Sequence, residues 1–256
     1  MQLNGFADRT AFVTGAAGGI GQAVVAKLRG AGAKVFATDT PEALAALNPQ
    51  SDGTIWHALD VRDAEAVRNA VTEAEARLGP LALGVHAAGI VSNLSVLDTS
   101  PEEWARVMDI NAGGTFKVTR AMGAAMVGRK CGAIVVVSSN AAGIPRMNMG
   151  AYAASKAAAT MLTRCLGLEL AAHGVRCNIL APGSTLTPMQ TGMWADEHGA
   201  AKVIAGDLAS HRTGIPLAKL ATAEDVANAA MFLLSDEAGH VTMADLYVDG
   251  GATLRA

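Results

Sequence analysis

The chain alternates short apolar runs with longer amphipathic segments. Seven runs are apolar almost throughout, as expected of strands that are buried on both faces of a sheet. They lie at residues 10–15, 33–39, 55–61, 81–89, 132–139, 175–183 and 244–251. The segments between them have helical periodicity and helical end signals. This alternation predicts an α/β fold: a single doubly wound parallel sheet of seven strands with helices on both faces.

One intervening segment carries the helical end signals together with a residue that disfavours a helix. Ser100 is a good N-cap, Pro101 suits the first helical position, and two acidic residues follow in the first turn. Asn111, further along, is unfavourable inside a helix unless it caps, kinks the chain or holds a water molecule. We therefore expect a helix that begins after Ser100, in which Asn111 either marks a break or has a functional role.

The chain shows no sign of a domain boundary. Its 256 residues are enough for one large α/β domain, and no linker or low-complexity tract divides them. We predict a single domain over residues 1–256. Residues 186–217 lie between the last two predicted strands and are too long for a plain crossover. A substrate lid and a simple insertion both fit this segment, and the lid is favoured because long excursions are often functional.

Composition and charge exclude several classes of protein. The chain is 51% hydrophobic with a mean hydropathy of +0.29, but no apolar run approaches the roughly 20 residues that span a bilayer. A net charge of −3 without a basic face argues against a nucleic-acid partner or a membrane surface. Residues 1–10 lack a signal-peptide pattern, which indicates a cytoplasmic protein. The cysteines and histidines lack metal-ligand spacing, so no metal site is expected.

A glycine-rich turn follows the first predicted strand and predicts a nucleotide site. It contains Gly15, Gly19, Ile20 and Gly21, and glycines there let backbone amides approach a pyrophosphate at the start of the next helix. Asp39 ends the second predicted strand, where a carboxylate accepts hydrogen bonds from both adenosine ribose hydroxyls and repels a 2′-phosphate. The pattern therefore favours NAD over NADP. A solvated turn residue or a helix cap is the alternative role for Asp39.

A second group of residues suggests acid–base chemistry. Tyr152 and Lys156 are four residues apart in a helical run, so both side chains leave the same helix face. A nearby ammonium favours the phenolate, which makes Tyr152 a candidate general acid/base despite its reference pKa near 10. Ser139 ends a predicted strand and can hydrogen-bond a substrate hydroxyl or carbonyl. Taken singly, each has a structural alternative: a helix pair for Tyr152 and Lys156, a cap for Ser139.

Taken in order along the chain, these motifs resemble the motif series of the short-chain dehydrogenase/reductase family. The series comprises "TGAAGGIG", Asp60, "AAG" at residues 87–89, Asn111, "SS" before "YAASK", and "PG" at residue 182. The resemblance implies a Rossmann-type fold, a nicotinamide cofactor and a catalytic group of Asn111, Ser139, Tyr152 and Lys156. The cofactor site that it implies consists of Gly15, Gly19, Ile20, Gly21, Asp39, Asp60, Val61, Ala88, Gly89, Tyr152, Lys156, Pro182 and Gly183. His86 departs from the asparagine that is common in the family, with little expected effect.

The variable segments carry a narrower resemblance. Residues 140–159, 165–185, 189–204 and 248–254 are similar to family members that oxidise cyclohexadiene diol carboxylates during catecholate siderophore synthesis. This similarity implies that Tyr152 acts as general base on a diol hydroxyl and that a cation holds the carboxylate. Relatives also carry an arginine soon after "AAG", which this chain lacks. The family resemblance further implies a homotetramer, and the Ala/Gly/Met-rich helices around Asn111 and Tyr152 suit close subunit contacts.

Arg146 is the candidate cation for that carboxylate. It lies in the loop between Ser139 and Tyr152, and its planar guanidinium suits a bidentate contact. A surface or subunit-interface role is the alternative. Met189 and Gln190 are further candidates for the substrate pocket. Three other functions stay open: oxidation of another cyclic diol or hydroxy acid, reduction of a 3-oxoacyl thioester, and binding without catalysis on a retained fold.

Overall fold

The sheet has the predicted seven strands, all parallel. The computed structural model describes residues 3–47 and 52–254, so the ends of the predicted 1–256 domain, residues 1–2 and 255–256, lie outside the described residues. The strand order is β3-β2-β1-β4-β5-β6-β7. The strands are β1 Thr10–Thr14, β2 Lys34–Asp39, β3 Ile55–Ala58, β4 Leu81–His86, β5 Gly132–Val137, β6 Val175–Pro182 and β7 Asp245–Val248. The predicted fold class is confirmed.

Helices cover both faces of this sheet. They are α1 Gly19–Gly30, α2 Pro41–Leu47, α3 Ala64–Leu78, α4 Pro101–Met108, α5 Gly114–Val127, α6 Gly150–Ala171, α7 Pro188–Thr191, α8 Gly199–Ala205 and α9 Ala223–Leu234. Along β1, Ala11 and Val13 pack in the core that includes α1 and α9, whereas Phe12 packs in the core that includes α3 and α5. Since successive strand residues alternate between the two faces, both must be apolar, which explains the continuous apolar runs.

The two edge strands are shorter than predicted. Apolar runs at residues 55–61 and 244–251 predict longer strands, but β3 and β7 span only Ile55–Ala58 and Asp245–Val248. Their residues are mostly half-buried, whereas the central strands are almost entirely buried. The central strand β4 also ends early, at His86 rather than at Gly89. After β3 the apolar run continues in a loop, from which Leu59 and Val61 still pack on the core.

The break that is one of the two alternatives for Asn111 is present as a π-helical segment. The Ser100 hydroxyl accepts a hydrogen bond from the Glu103 amide at 3.2 Å and caps α4, as predicted. The chain then forms a π-helix at Asp109–Gly113 before α5 begins. Such bulges are often found at functional sites because they displace a side chain from the regular helical ladder. Here the displaced residue is Asn111.

The strand order determines where a ligand site lies. It reverses between β1 and β4, which are neighbours in the sheet although they are separated in the chain. In a parallel sheet, the crossovers on either side of this point leave a crevice beyond the carboxyl ends of the strands. Residues 186–217 contain α7 and α8 and follow β6 at the same edge. None of the described helices is long and apolar enough to cross a membrane.

Candidate active site

Two adjoining cavities open at the carboxyl ends of the strands. One has a volume of about 470 Å³ and the second about 660 Å³. Ala87, Gly89, Ile90 and Met189 line both, so the cavities form a continuous cleft. The first three of these residues follow β4, at the point where the strand order reverses. We call the smaller cavity, which Tyr152 and Lys156 line, the catalytic cavity. We call the larger one, which Gly15 and Asp39 line, the adenosine cavity.

The glycine-rich turn borders the adenosine cavity through close backbone packing. Gly15 has a φ of +66°, and a Cβ atom there would lie 2.4 Å from the Ala88 nitrogen. A Cβ atom on Gly21 would lie 2.0 Å from the Gly15 carbonyl oxygen. Gly15 lines the cavity, whereas Gly19 and Gly21 line neither cavity and instead permit the close packing of α1. The turn therefore presents backbone rather than side chains, which fits a pyrophosphate-binding turn.

Asp39 lies on the wall of the adenosine cavity and is held by two amides. Its carboxylate accepts hydrogen bonds from the Ala17 amide at 2.9 Å and the Thr40 amide at 2.8 Å. The first of these ties the glycine-rich turn to the end of β2. The carboxylate thus has a fixed position at the cavity, where ribose hydroxyls can donate to its remaining lone pairs.

Arg62, a cation that the sequence motifs do not identify, lies in the same cavity. Arg62 lines it beside Asp60, Val61 and Ala88. The Arg62 Nη2 atom lies 2.6 Å from Asp60 Oδ2, and this contact lowers the pKa of the Asp60 carboxyl. The Asp60 carboxylate also accepts a hydrogen bond from the Arg62 amide. Because this ion pair forms within the turn after β3, the Arg62 charge is already balanced by Asp60.

Three of the predicted catalytic residues meet in the catalytic cavity. Ser139 follows the end of β5, and Tyr152 and Lys156 lie on the first turns of α6; all three line the cavity. Lys156 Nζ donates to the Val137 carbonyl at 3.0 Å and lies 5.9 Å from the centroid of the Tyr152 ring. Ser139 Oγ accepts a hydrogen bond from the Ala141 amide at 3.1 Å. This geometry places a phenol, a hydroxyl and an ammonium around one space.

Burial controls the protonation of this group. It raises the pKa of the Tyr152 phenol, and hydrogen bonding with Ser139 opposes that rise. It lowers the pKa of the Lys156 ammonium to about 8. Burial thus dominates the pKa of Tyr152, and the lowering that was expected from the Lys156 charge is not found. The phenol is protonated at neutral pH until further positive charge enters the cavity.

Asn111 joins the loop after β4 to helix α6. Its side chain exchanges two hydrogen bonds with the Ile90 backbone, at 2.8 and 2.9 Å, and donates to Ser155 Oγ at 2.9 Å. Ser155 in turn donates to the Tyr152 carbonyl at 2.7 Å. The buried amide therefore fixes the helix turn that carries Tyr152 relative to the cofactor-side loop. Nearby, a Cβ atom on Gly89 would lie 3.1 Å from both Asn111 Oδ1 and Lys156 Nζ.

His86, the departure from the family pattern, is a buried neutral imidazole. Its Nδ1 atom lies 2.7 Å from Thr14 Oγ1, so the side chain joins the ends of β4 and β1. Burial and the charge of Lys156 lower its pKa to about 3. The imidazole therefore carries no charge near neutral pH and adds no second positive charge near Lys156.

The predicted substrate residues also line the catalytic cavity. Arg146, Met189 and Gln190 all lie on its wall, as do Ile20, Pro182 and Gly183 from the predicted cofactor site. Much of the wall comes from residues 186–217, namely Thr187, Met189, Gln190, Met193, Trp194, Val203, Ser210, Arg212, Gly214 and Ile215. Burial lowers the pKa of Arg146, and repulsion from Arg212 adds to this.

Arg212 is the second cation that the sequence reading missed. Residues 186–217 contain one lysine and one arginine, Lys202 and Arg212, and the sequence pattern does not show which faces inward. The structure places Arg212 on the cavity wall, while Lys202 is exposed and pairs with Asp196. Among the described residues, no group of three or more His, Cys, Asp or Glu side chains is arranged to hold a metal ion.

Comparisons with known proteins agree with this arrangement. A family model described as enoyl-(acyl carrier protein) reductase matches residues 15–253. The chain is 47% identical to a 2,3-dihydro-2,3-dihydroxybenzoate dehydrogenase of Bacillus subtilis over 99% of each chain. It is 42% identical to a vibriobactin-specific enzyme of that name from Vibrio cholerae, over 94% of this chain and 95% of the relative. A relative of the same name from Escherichia coli is 39% identical, over 98% of this chain and 99% of the relative.

A solved structure has a similar fold over nearly the whole chain. A crystal structure of gox2181 superimposes with a TM-score of 0.86 at 32% sequence identity and covers 97% of each chain. Ser139, Tyr152 and Lys156 lie within residues 15–253, which the family model matches. The chain therefore belongs to the short-chain dehydrogenase/reductase family of oxidoreductases.

Proposed function

We propose that this protein oxidises 2,3-dihydro-2,3-dihydroxybenzoate to 2,3-dihydroxybenzoate with NAD. The observation that carries the proposal is one cavity of about 470 Å³ lined by both Tyr152 and Arg146. The phenol is a base for a substrate hydroxyl, and the guanidinium is a partner for a substrate carboxylate. Three relatives with this activity in their names, 39% to 47% identical over nearly the whole chain, support the same substrate. A catechol carboxylate product would serve catecholate siderophore synthesis.

The residues around both cavities fit a dinucleotide. The amides of the glycine-rich turn would hold the pyrophosphate, Asp39 the adenosine ribose, and Lys156 the nicotinamide ribose. Asp60, Val61 and Ala88 line the adenosine cavity, and Ile20, Gly89, Pro182 and Gly183 line the end near Tyr152. NAD, when bound, accepts the hydride that the oxidation removes. The carboxylate of Asp39 disfavours a 2′-phosphate and thereby favours NAD over NADP.

The catalytic residues divide the proton chemistry among them. Tyr152 would take the proton from the C3 hydroxyl of the substrate, while Ser139 would hold the reacting oxygen by a hydrogen bond. Lys156 would stabilise the phenolate through its charge. Asn111 would hold α6 and the loop after β4 at fixed relative positions by its hydrogen bonds to Ser155 and Ile90. The dienone product becomes aromatic by tautomerisation, so the reaction needs only one catalytic base.

The proposal is tested by mixing the protein with NAD and 2,3-dihydro-2,3-dihydroxybenzoate. We expect NADH absorbance and catechol fluorescence to rise together and in equal amounts. A neutral cyclohexadiene diol, and a 3-oxoacyl thioester with NADPH, should turn over far more slowly. Faster reduction of the thioester than oxidation of the diol acid would refute the proposal in favour of an acyl reductase. Binding of NAD without turnover of any diol would indicate a protein that has lost catalysis.

Removing the Arg146 guanidinium should weaken binding of the acid and spare the cofactor. We expect Arg146→Ala to raise KM for the diol acid about 10- to 100-fold, the usual range for a lost charged hydrogen bond. The dissociation constant of NAD, measured by isothermal titration, should change little. Arg77→Ala removes an exposed arginine that pairs with Glu73 on α3 and is the matched control. An unchanged KM in Arg146→Ala would rule out the carboxylate role.

We infer that residues 186–217 act as a substrate lid. The segment supplies many of the side chains on the wall of the catalytic cavity, among them Met189 and Gln190. Its two short helices, α7 and α8, lie between β6 and α9 in the chain and are not part of the sheet. A wall of this kind can open for substrate and close to exclude water.

We further infer a homotetramer that assembles through the helices around the active site. Trp104 on α4, Phe116 on α5 and Leu168 on α6 are 46%, 49% and 68% exposed, although these helices pack against one another. Sedimentation velocity should give a mass about four times the 26.0 kDa of the chain. Leu168→Glu should lower that mass, whereas Leu208→Glu, on the lid, should not. A wild-type mass of one chain would contradict the inference.

A cytoplasmic location is consistent with the cysteine chemistry. Cys131, Cys165 and Cys177 are free thiols, and two of them are exposed. Exposed free thiols persist in a reducing compartment. We therefore infer that the protein works in the cytoplasm.

A further inference from the structure

Arg212 lies after α8 in the lid, residues 186–217, where hydrogen bonds fix the position of its backbone. The backbones of Asp207 and Arg212 exchange two hydrogen bonds, at 2.8 and 2.9 Å, and close a tight loop. The Asp207 carboxylate accepts hydrogen bonds from the amides of Ala209 and Ser210 and stiffens the same loop. The Arg212 guanidinium reaches across to Met149, with Nη2 3.8 Å from the sulfur, and lines the catalytic cavity. The loop thus aims the cation at the face that carries Arg146 and Tyr152.

Two arginines therefore line one cavity without an anion between them. Within residues 3–47 and 52–254, no carboxylate lies within salt-bridge distance of either Arg146 or Arg212. The charge of Asp249 acts on Arg146, but the Asp249 carboxylate already accepts hydrogen bonds from Asn140, the Gly251 amide and Thr253. The charge of Asp207 acts on Arg212 in the same way, but that carboxylate already accepts hydrogen bonds from the Ala209 amide and from the amide and hydroxyl of Ser210. Neither guanidinium is therefore paired directly with a carboxylate, and the two repel each other. A carboxylate placed between them would remove that cost.

The second lid cation behaves differently. Lys202 Nζ forms an ion pair with Asp196, which lies in the same segment, and the lysine side chain is 63% exposed. Arg106 and Arg129, outside the lid, likewise pair with a glutamate. Other described arginines also lack a carboxylate partner, but Arg176, for example, donates to four backbone carbonyls instead. Arg146 and Arg212 differ because both line the same cavity. Two unpaired cations at a cavity are typical of a site for an anionic ligand.

We propose that Arg212 is a second ligand for the substrate carboxylate and binds it together with Arg146. This inference rests on the proposed function and identifies the residue that makes it selective for acids. The carboxylate would bind Arg212 on the lid and Arg146 in the loop before α6 at the same time. It would thereby connect the lid to that loop. Binding of an acid therefore closes the cavity around the diol ring beside Tyr152, whereas a neutral diol makes no bridge.

The inference is tested on the NAD-loaded protein with a matched pair of ligands. These are 2,3-dihydroxybenzoate and catechol, which lacks the carboxylate, and binding is measured by isothermal titration. We expect Arg212→Met to weaken binding of the acid about 10- to 100-fold and to change catechol binding less than about twofold. Arg212→Lys, which keeps the charge but loses the planar fork, should be intermediate. Lys202→Met, a control in the same lid, should match the wild type.

The kinetic arm separates substrate recognition from a structural role. In Arg212→Met, KM for the diol acid should rise, while kcat/KM for its neutral carboxamide should stay within about twofold of the wild type. Unchanged binding of 2,3-dihydroxybenzoate in Arg212→Met would overturn the inference. Equal losses for the acid and the carboxamide would also overturn it, since they would indicate damage to the lid fold. If the wild type binds the acid through Arg212 but does not oxidise the diol acid, the proposed function fails and this inference stands.

Discussion

Replacing Tyr152 by phenylalanine should lower kcat for the diol acid about a thousandfold and leave KM nearly unchanged. The hydroxyl is the only atom group lost, and a positioned general base contributes on the order of 10²- to 10⁴-fold to a rate. The ring, which faces Lys156 at 5.9 Å, is retained, so the substrate and cofactor surfaces of the cavity keep their shape. Steady-state kinetics with NAD in excess measure the effect directly.

The chain has a matched control for this change. Its second tyrosine, Tyr247, lies on the edge strand β7 and does not line the catalytic cavity. Tyr247→Phe makes the same chemical change at a half-buried position outside the catalytic cavity and should keep kcat within about twofold. If Tyr152→Phe retained near-normal turnover, Tyr152 would not be the general base.

The pH profile of the wild type should reflect the same phenol. Since burial raises the pKa of Tyr152, the phenol must lose a proton before it acts as a base, and the oxidation rate should rise as the pH increases above neutral. The Lys156 ammonium, with a pKa of about 8, favours the phenolate only while it is charged. The two titrations are therefore coupled and belong to the pair.

The sequence predicted the sheet well because both of its faces are buried. Residues such as Phe12 and Val13 on β1 must be apolar on both sides, so the strand appears as a continuous run. The strands β3, β4 and β7 ended earlier than predicted. After β3 the apolar residues Leu59 and Val61 pack on the core from a loop, so an apolar run does not by itself mark the end of a strand. The unfavourable position of Asn111 within a helical run indicated a break or a functional role, and a π-helix lies there.

The substrate side of the site was less accessible from the sequence. Ser139, Tyr152 and Lys156 belong to a recognisable pattern, whereas Arg212 lies in a segment without periodicity. Its inward direction depends on the loop closed by Asp207, which is a tertiary feature with no local signal. Likewise, the sequence does not show that Arg62 is neutralised by Asp60 two residues earlier. Charge balance between side chains has to be read from geometry.

Replacing Asp39 by asparagine should change the preference for NAD over NADP by on the order of a thousandfold. The asparagine keeps the size of the side chain but removes the negative charge, and its single oxygen can accept from only one of the two amides, Ala17 or Thr40, which donate to different oxygens of Asp39. Losing charged hydrogen bonds to the ribose hydroxyls should lower kcat/KM for NAD about 10- to 100-fold. Relief of repulsion should raise kcat/KM for NADP. The ratio of the two constants, measured with one substrate, reports both effects.

A nearby carboxylate separates direct contact from general electrostatics. Glu42 is exposed in the first turn of α2, next to Ala43 on the wall of the adenosine cavity, but does not line it. Glu42→Gln removes the same charge beside the cavity but outside its wall and should alter the ratio less than about twofold, because exposed charges are screened. A ratio that stayed the same in Asp39→Asn, or a wild type that preferred NADP, would exclude the ribose contact. If the wild type preferred NADP, the partner of the 2′-phosphate would be Arg62, the positively charged residue on the wall of the adenosine cavity.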